Sequence, residues 1–354
     1  MHIEFLPAFN GDSIYISYKH TGSPVHILID GGTALTYESK GKKNEIVDGA
    51  LKTLLLRLKA ANQTISLLIL THIDDDHIGG ILKWMGKDAE AIGMIENIWF
   101  NSGRSIANLF GETVVKIPEV PLLSEQTTET GVNQGVTLEK NIRDKGIWDE
   151  QVIHQQQCLN FRGVDFKVLS PSMTNLKELH DKWEKERPDT FTAVATDYAQ
   201  SLEYYLANII SDPDTGIHNG SSIAFILVYQ NKNLLFLGDA HIKTIVDGLI
   251  FFGYSKEKPL DAEFVKLSHH GSNRNVSIEL LEMVDSKTFI ISTDGLKHGH
   301  PDKKGLAKII KCKKSPLLRL NYPSRIDTIF SPEDRKFIEF STDSVLGGID
   351  LETA

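Results

Sequence analysis

Residues 71–80, THIDDDHIGG, place two histidines and three aspartates within six consecutive positions, directly after the apolar run ISLLIL. Adjacent carboxylates repel one another, so three in a row beside a buried strand cost stability unless a cation lies among them. Imidazole and carboxylate groups are ligands for hard and borderline divalent metals. The pattern predicts a metal-binding loop. The alternative is a solvated acidic turn with two incidental histidines.

The spacing within this loop predicts that the three aspartate side chains do not all point the same way. His72 and Asp74 are two residues apart, so in an extended segment their side chains face the same way and that of Asp75 faces away. Asp75 is therefore expected to be a spacer or a hydrogen-bond acceptor. Gly79 and Gly80 allow a close backbone approach where the chain turns into a helix.

Ligand side chains recur at the ends of two other predicted strands. The run LFLGDA places Asp239 at the end of one strand, and VKLSHHGS places His269 and His270 at the end of another. Because the same residue types follow three separate apolar runs, a metal site is favoured over the acidic turn.

The motifs HIDDDH at 72–77, GDA at 238–240 and HHGS at 269–272 together resemble the metallo-β-lactamase superfamily. More narrowly, the chain is similar to the soluble hydrolase domain of ComEC-type DNA-uptake proteins. FNGDSIYI and HILIDGG near the start, and HGHP at 298–301, support the narrower resemblance. The likeness covers about residues 1–100 and 218–302.

The resemblance implies a two-metal site in which one carboxylate bridges both ions. The implied metal ligands are His72, Asp74, Asp76, His77, His218, Asp239 and His269. His72 and Asp74 would bind one ion, Asp76 and His77 the other, and Asp239 would bridge them. His269 is preferred to His270 as the last ligand of the second ion, although the two could exchange roles. His218 is either a ligand or an exposed loop histidine.

The resemblance also implies catalytic roles. Asp76 would be both a ligand and a possible base, His270 would support the ligands, and His300 in the GHP motif would protonate the leaving group or hold a phosphate. A surface turn is the alternative for His298 and His300. Asp30 would orient the metal loop without binding metal, and Asp12 would do the same with less support.

Asp74 stands where the superfamily motif HxHxDH usually has its second histidine, a change that the ComEC-type group shares. A carboxylate in place of an imidazole makes the site harder and more anionic. The implied cofactors are therefore two divalent metal ions, with Zn preferred and Mn or Fe as alternatives.

The implied function is hydrolysis of a phosphodiester in a nucleotide or nucleic acid, through a hydroxide that bridges two metals. One alternative is a carbonyl hydrolase that acts on a lactone, thioester or β-lactam. Another is a noncatalytic or redox metal protein. Redox members of the fold usually have a Glu in the metal motif and an attached flavin domain, and neither is present here.

The elements that must position these residues are mixed strands and helices. Strand-like segments fill the first thirty residues, a helical pattern covers 44–60, a buried strand covers 65–70, and alternation resumes from 221. The mixture indicates an α/β (α+β) layered fold, and the resemblance implies a four-layer αββα sandwich with two mixed sheets. We expect residues 1–354 to form a single catalytic domain with an insertion or cap at about 103–215, which includes predicted helices at 174–185 and 192–211.

Composition excludes several classes of protein. The net charge of -9 argues against a general polyanion binder, and two cysteines far apart in sequence give no disulfide or zinc cluster. The absence of a signal-like start or a long apolar run predicts a cytoplasmic protein without membrane insertion. A possible protein partner stays unknown. Six lysines between 303 and 314 form either a solvated helix face or a local attraction for a phosphate-bearing substrate.

Overall fold

The computed structural model describes residues 1–112, 131–183, 196–210, 212–336 and 339–351. The strands are β1 (His2–Phe5), β2 (Ile14–His20), β3 (Ser23–Ile29), β4 (Glu38–Lys40), β5 (Ile46–Asp48), β6 (Leu67–Ile69), β7 (Ile98–Trp99), β8 (Cys158–Phe161), β9 (Val164–Ser170), β10 (Ala224–Tyr229), β11 (Lys232–Phe236), β12 (Leu260–Asp261), β13 (Phe264–Lys266), β14 (Val284–Asp285), β15 (Thr288–Ile291), β16 (Leu317–Leu320), β17 (Ser341–Ser344) and β18 (Ile349–Asp350). The helices are α1 (Ala34–Tyr37), α2 (Ala50–Ala60), α3 (Asp75–Lys87), α4 (Gly103–Leu109), α5 (Gly131–Ile142), α6 (Met173–Trp183), α7 (Leu202–Ala207), α8 (Ile217–Gly220), α9 (Ile242–Phe251), α10 (Ile278–Met283), α11 (Lys303–Cys312) and α12 (Ile326–Ile329).

Two mixed sheets form the centre of the molecule. The first sheet has the strand order β18-β1-β2-β3-β6-β7, and the second has the order β17-β16-β15-β13-β11-β10-β9-β8. In the first sheet β2 and β3 are antiparallel whereas β3 and β6 are parallel. The second sheet likewise joins the antiparallel pair β10 and β11 to the parallel pair β11 and β13.

The alternation of side chains along the strands divides the apolar core into three layers. In β3, Ile27 and Ile29 pack into a cluster that lies between the two sheets, whereas Leu28 packs against α2 and α3 on the outer face. In the second sheet, Phe225 shares the central cluster, and Ile226 packs against the helices α9 to α11 on the opposite face. Successive strand residues point to opposite faces, so each sheet is covered on both sides. The predicted αββα sandwich is confirmed.

The structure differs from the sequence prediction at the start of the first long helix. Residues 46–48 form β5, paired with β4, and helix α2 begins only at Ala50. Ile46 and Val47 fit a helical period but are exposed in the hairpin. Gly49 takes an extended conformation at the N-cap of α2 and ends the hairpin.

The segment 103–215 contributes to the second sheet as well as to the helices. Strands β8 and β9 extend that sheet beyond β10, and α5 packs against α3, the helix that follows the metal motif. Of the helix predicted at 192–211, α7 is observed at Leu202–Ala207, and residues 192–195 and 211 lie outside the described residues. The domain boundaries as a whole stay a prediction.

The lysines of α11 do not all lie on one solvated face. Lys303 and Lys308 are buried, and Lys308 Nζ donates to the carbonyl oxygens of Asn273 and Val276. Burial lowers the pKa of Lys308 to about 8. Lys311 donates to the carbonyl of Leu206. The prediction of a solvated face was wrong for Lys303 and Lys308, whereas Lys304 and Lys311 are exposed. A local attraction for a phosphate-bearing substrate stays a prediction.

Among the residues that the structure describes, no helix combines the length and the apolar character needed to cross a membrane.

Gly80 allows α3 to approach the end of β3 very closely. A Cβ atom at Gly80 would lie 2.0 Å from the carbonyl oxygen of Gly31, and Gly80 N donates to the carbonyl of Gly32. At Gly86, later in the same helix, no atom lies within 4 Å of the added Cβ position.

We expect Gly80→Ala to lower the free energy of unfolding by about 1–3 kcal/mol, because the added methyl forces the helix away from the strand. The control Gly86→Ala has open space and should stabilise by about 0.5–1 kcal/mol. Urea denaturation of the two variants measures the difference. Equal effects would contradict the close packing.

Candidate metal centre

The first group of site residues lies between β6 and α3. The chain leaves the sheet at Ile69, runs extended through His72, and begins α3 at Asp75 with Asp74 at the N-cap. The side chains of His72 and His77 are fully buried. His72 Nε2 lies 3.7 Å from Asp74 Oδ2, so these two side chains face the same point as the spacing predicted.

Asp75 faces away from that point. Its Oδ1 accepts a hydrogen bond of 2.8 Å from Gln134 Nε2 of α5. The predicted role of Asp75 as a hydrogen-bond acceptor outside the cluster is confirmed, and the acceptor belongs to the contact between α3 and α5.

Asp239 lies on the loop that follows β11. Gly238 has φ +49°, and a Cβ there would lie 2.4 Å from Ser222 Oγ, so the tight turn needs glycine. Ser222 Oγ accepts a hydrogen bond from the Asp239 backbone N–H. The turn and this bond direct the buried Asp239 carboxylate toward the loop after β6.

His269 and His270 lie in a short turn after β13. Both have positive φ, 45° and 55°, in the left-handed region that is costly for residues with a Cβ. Backbone strain of this kind persists only where the surrounding structure determines it. The strain brings both rings to the same carboxylate, that of Asp239.

Four imidazoles surround Asp239. His77 Nε2 lies 3.5 Å from Asp239 Oδ1. The Nε2 atoms of the other three rings face Asp239 Oδ2, at 3.9 Å for His72, 3.8 Å for His269 and 3.6 Å for His270. This central position is what a carboxylate shared by two ions requires, and it agrees with the bridging role that the resemblance implies.

The two adjacent histidines have different surroundings. The His270 side chain is 1% exposed, its Nδ1 is 2.9 Å from the carbonyl of Ser292, and its Nε2 is 3.5 Å from Asp76 Oδ2. The His269 side chain is 25% exposed, and its Nδ1 lies 3.2 Å from Asn275 Oδ1 and 3.4 Å from Asp214 Oδ2. His270 is thus the more enclosed of the two and the one that faces Asp76.

Asp30 orients the metal loop from the end of β3. Its Oδ2 lies 2.8 Å from His77 Nδ1 and accepts from Thr71 Oγ1, while its Oδ1 accepts from the Thr71 N–H. Metal-binding histidines usually donate their second ring nitrogen to such a carboxylate or carbonyl, which fixes the ring and its tautomer. The arrangement fits the supporting role predicted for Asp30.

The remaining predicted residues lie around the same cluster. His218 Nδ1 is 2.6 Å from Asp74 Oδ1. The ring of His300 is 5.2 Å from that of His269 and 6.3 Å from that of His298, measured between ring centroids. His218 therefore lies beside a predicted ligand, and the HGHP turn lies at the rim of the cluster.

Paired acids and bases determine the electrostatics of the cluster. Burial alone would raise the pKa of the Asp239 carboxyl, but the charges of His270 and His77 outweigh it and hold that pKa well below its usual range. Burial opposes charge on His270, yet Asp239 and Asp12 raise the pKa of His270 to about 10. In contrast, burial lowers the pKa of His72, with the nearby charge of His77 adding to the effect.

The donor atoms fit divalent metal ions. The buried atoms His72 Nε2, His77 Nε2, His270 Nε2 and Asp239 Oδ1 have no hydrogen-bond partner among the residues that the structure describes. Three groups of ligand atoms here each lie within 4.8 Å of one another: His72, His77 and Asp239; Asp76, His77 and His270; and Asp12, Asp239 and His270. Because buried polar atoms are almost always satisfied, four unpartnered donor atoms that face one another fit the binding of a cation.

Sequence reasoning missed Asp214 and Asn275, which contact His269. Asp214 Oδ2 also accepts from the Nδ2 atoms of Asn219 and Asn275, and its Oδ1 accepts from the Gly216 N–H. The only local signal was the turn sequence DPDTG, which is equally typical of an exposed loop. Lys266, which pairs with Asp12, carried no signal at all.

Comparison with known proteins gives a match to a family and to a curated relative. Residues 11–142 match the family described as the Metallo-beta-lactamase superfamily. Over 345 residues the chain is 21% identical to ComE operon protein 3 of Bacillus subtilis (strain 168), a match that covers 94% of this chain and 34% of that protein. The chain thus spans about a third of the length of this curated relative. The resemblance inferred from the motifs is confirmed.

Solved structures to which the chain is similar include the metallo-beta-lactamase fold protein YhfI from Bacillus subtilis and Zn(2+)-bound PqqB from Methylobacterium extorquens. The first has a TM-score of 0.41 and 10% identity, and the match covers 99% of this chain and 98% of that one. The second has a TM-score of 0.42 and 10% identity, and the match covers all of both chains.

The amount of metal bound per chain can test whether the side chains of Asp75 and Asp76 point in different directions. We expect Asp76→Asn to lower bound metal per chain after dialysis, because its carboxylate faces His270. The matched variant Asp75→Asn should retain the wild-type metal content, because Asp75 bonds Gln134 instead. Elemental analysis by mass spectrometry measures both. Equal loss in the two variants would contradict the geometry.

Proposed function

We propose that the chain is a metal-dependent hydrolase that cleaves phosphodiester bonds in nucleotides or nucleic acid, a proposal supported by the match of residues 11–142 to the Metallo-beta-lactamase superfamily. The observation that carries this proposal is the oxygen-rich set of donors around Asp239. Asp74, Asp76 and Asp239 supply three carboxylates to one cluster, and Asp74 stands where the superfamily more often has an imidazole. Carboxylate ligands favour hard metal ions, and such ions also bind the oxygen atoms of a phosphodiester.

We propose that the cluster holds two divalent cations. His72, Asp74 and Asp239 would hold one, and Asp76, His77, His270 and Asp239 would hold the other. Zn is the first choice, and the carboxylates also suit Mn or Fe. When bound, such a pair activates water for attack and neutralises the charge on the attacking and leaving oxygens.

The choice of His270 as a ligand revises the sequence-based preference for His269. Its support is the enclosed ring, the unpartnered Nε2 that faces Asp76 and Asp239, and the carbonyl of Ser292 that fixes the opposite nitrogen. His269 Nε2 lies 3.8 Å from Asp239 Oδ2, and its other ring nitrogen, Nδ1, lies near Asn275 and Asp214. The His269 ring is partly exposed. In this position His269 would contact substrate.

His218 supports the first half of the site by bonding Asp74. The short contact between His218 Nδ1 and Asp74 Oδ1 fixes the direction of that carboxylate. Burial would raise the pKa of Asp74, but this hydrogen bond and the nearby His72 outweigh burial and lower it. Asp74 is therefore ionised and available to a cation over the neutral pH range.

His300 is the residue best placed to donate a proton to the leaving group. Its ring stands against that of His269, and its Nδ1 is 3.6 Å from Asp302 Oδ2. His298 is exposed, whereas His300 is half-buried, so His300 is the more firmly placed of the two at the rim. Asp302 in turn accepts from the Asn273 N–H and fixes the rim to the turn after β13.

The activity is tested with purified protein loaded with Mn²⁺ or Zn²⁺. We expect hydrolysis of at least one of single-stranded DNA, RNA, cyclic nucleotides and bis-p-nitrophenyl phosphate, and loss of that activity in Asp76→Ala. Product release is measured with wild type and variant side by side. Turnover of lactones or esters without any phosphodiester cleavage would contradict the proposed substrate class, and full activity in Asp76→Ala would contradict the site.

The two adjacent histidines are distinguished by separate variants. We expect His270→Ala to lower metal affinity and His269→Ala to leave metal affinity nearly unchanged while it raises KM or lowers kcat. Isothermal titration with Mn²⁺ reports the first effect, and steady-state kinetics reports the second. Loss of metal in His269→Ala alone would restore the original preference for that residue.

A further inference from the structure

Lys266 and Asp12 form an ion pair in the interior of the molecule. Lys266 Nζ is 2.6 Å from Asp12 Oδ2, and the two side chains are 1% and 2% exposed. The residues come from opposite sheets and lie 254 positions apart in sequence. Replacing a buried pair by apolar residues is often neutral or stabilising, so such a pair is weak evidence for a purely stabilising role.

The Asp12 side of the pair is tied to the predicted ligand Asp76. The Asp12 N–H donates to the carbonyl of Asp76 at 3.2 Å, and Asn10 Nδ2 donates to Asp76 Oδ2 at 2.8 Å. Between them, a Cβ at Gly11 would lie 1.8 Å from the Asp76 carbonyl oxygen. The loop before β2 therefore lies directly against the first turn of α3 and fixes both the backbone and the carboxylate of Asp76.

The same pair is tied to the other half of the site through His270. Lys266 ends β13, four residues before His270, and its Nζ also donates to the carbonyl of Leu267. Asp12 Oδ1 is 3.6 Å from His270 Nδ1. Ser292, whose carbonyl lies 2.9 Å from that nitrogen, donates through its hydroxyl to the carbonyl of Gly11.

We propose that Asn10, Asp12 and Lys266 form a positioning network that holds Asp76 of the first half and His270 of the second half in register, so that both can bind the same metal ion. The proposal rests on the metal centre proposed above, in which His270 binds through Nε2, and it assigns Asp12 to the opposite nitrogen of that ring as a positioning residue and not as a ligand. Asp76 and His270 belong to loops of different sheets, and the ion pair links those sheets directly beneath them. Through this network, the packing of the two sheets would fix the positions of Asp76 and His270 relative to each other.

The network is tested by cobalt binding. In Asp12→Asn/Lys266→Met both charges are removed together, so no lone charge is left buried. The matched control is Lys303→Met/Asp334→Asn, which removes a second buried lysine–aspartate pair; among the described residues, this pair has no hydrogen bond to a predicted ligand. Each protein is titrated with Co²⁺, and affinity, the visible absorption spectrum and thermal unfolding of the metal-free form are measured.

We expect the double variant to bind Co²⁺ about 10–100-fold more weakly than wild type, the usual effect of losing an outer partner of a metal ligand. Its cobalt spectrum should also change, since the spectrum reports coordination geometry and a purely structural role would leave it unaltered. The control variant should keep the wild-type affinity and spectrum. Wild-type binding in the folded double variant, or equal losses in the control, would overturn the proposal.

Asn10→Ala gives a second test that does not touch the ion pair. If the double variant does not fold, this substitution decides the matter: weaker cobalt binding supports the network, and unchanged binding overturns it. The result is separate from the activity test. If the wild type binds Co²⁺ but cleaves no phosphodiester, the proposed substrate class is refuted and the network is not. If the wild type is active and the variants bind Co²⁺ as tightly as it does, only the network is refuted.

Discussion

The carboxylate of Asp239 lies at the junction of the two sheets, surrounded by the rings of His72, His77, His269 and His270. Asp74 and Asp76 approach the same point from α3 and its N-cap. Removing this many carboxylates and imidazoles from water is costly unless each atom finds a partner. The unpartnered Nε2 atoms show that hydrogen bonds within the described chain do not complete the pairing. Divalent cations would satisfy the carboxylates and the imidazoles at once.

Loops from both sheets bring these groups together. The loops after β3 and β6 of the first sheet carry Asp30 and His72, and the loops after β11 and β13 of the second sheet carry Asp239 and His270. Three residues with a Cβ in these loops, Asp30, His269 and His270, have positive φ. Strain of this kind is expected where function and not stability sets the backbone. The layers of apolar side chains on both faces of each sheet supply the rigidity that maintains it.

Local sequence was sufficient to predict the directions of the aspartates in the loop at 71–80. The parity of His72 and Asp74, and the outward position of Asp75, follow from an extended segment that enters a helix. The four layers could not be derived from periodicity alone, and their prediction depended on the family resemblance. The predicted helix at 44–60 began too early because Ile46 and Val47 fit a helical period although they lie in an exposed hairpin.

The other differences depend on contacts that no local pattern encodes. His269 and His270 are neighbours of identical type, and only the left-handed turn decides which ring is enclosed. The lysines of α11 looked like a charged face, yet Lys303 and Lys308 are buried because loops far away in sequence present carbonyl oxygens to them. Asp12 and Lys266 meet only after both sheets have packed.

The claim that two cations share Asp239 is tested most directly by a crystal structure of protein grown with Mn²⁺, with data collected at the manganese absorption edge. We predict two anomalous peaks about 3.5–4 Å apart, one on each side of the Asp239 carboxylate. One should contact His72 and Asp74, and the other Asp76 and His270. A single peak, or peaks that do not contact Asp239, would contradict the account.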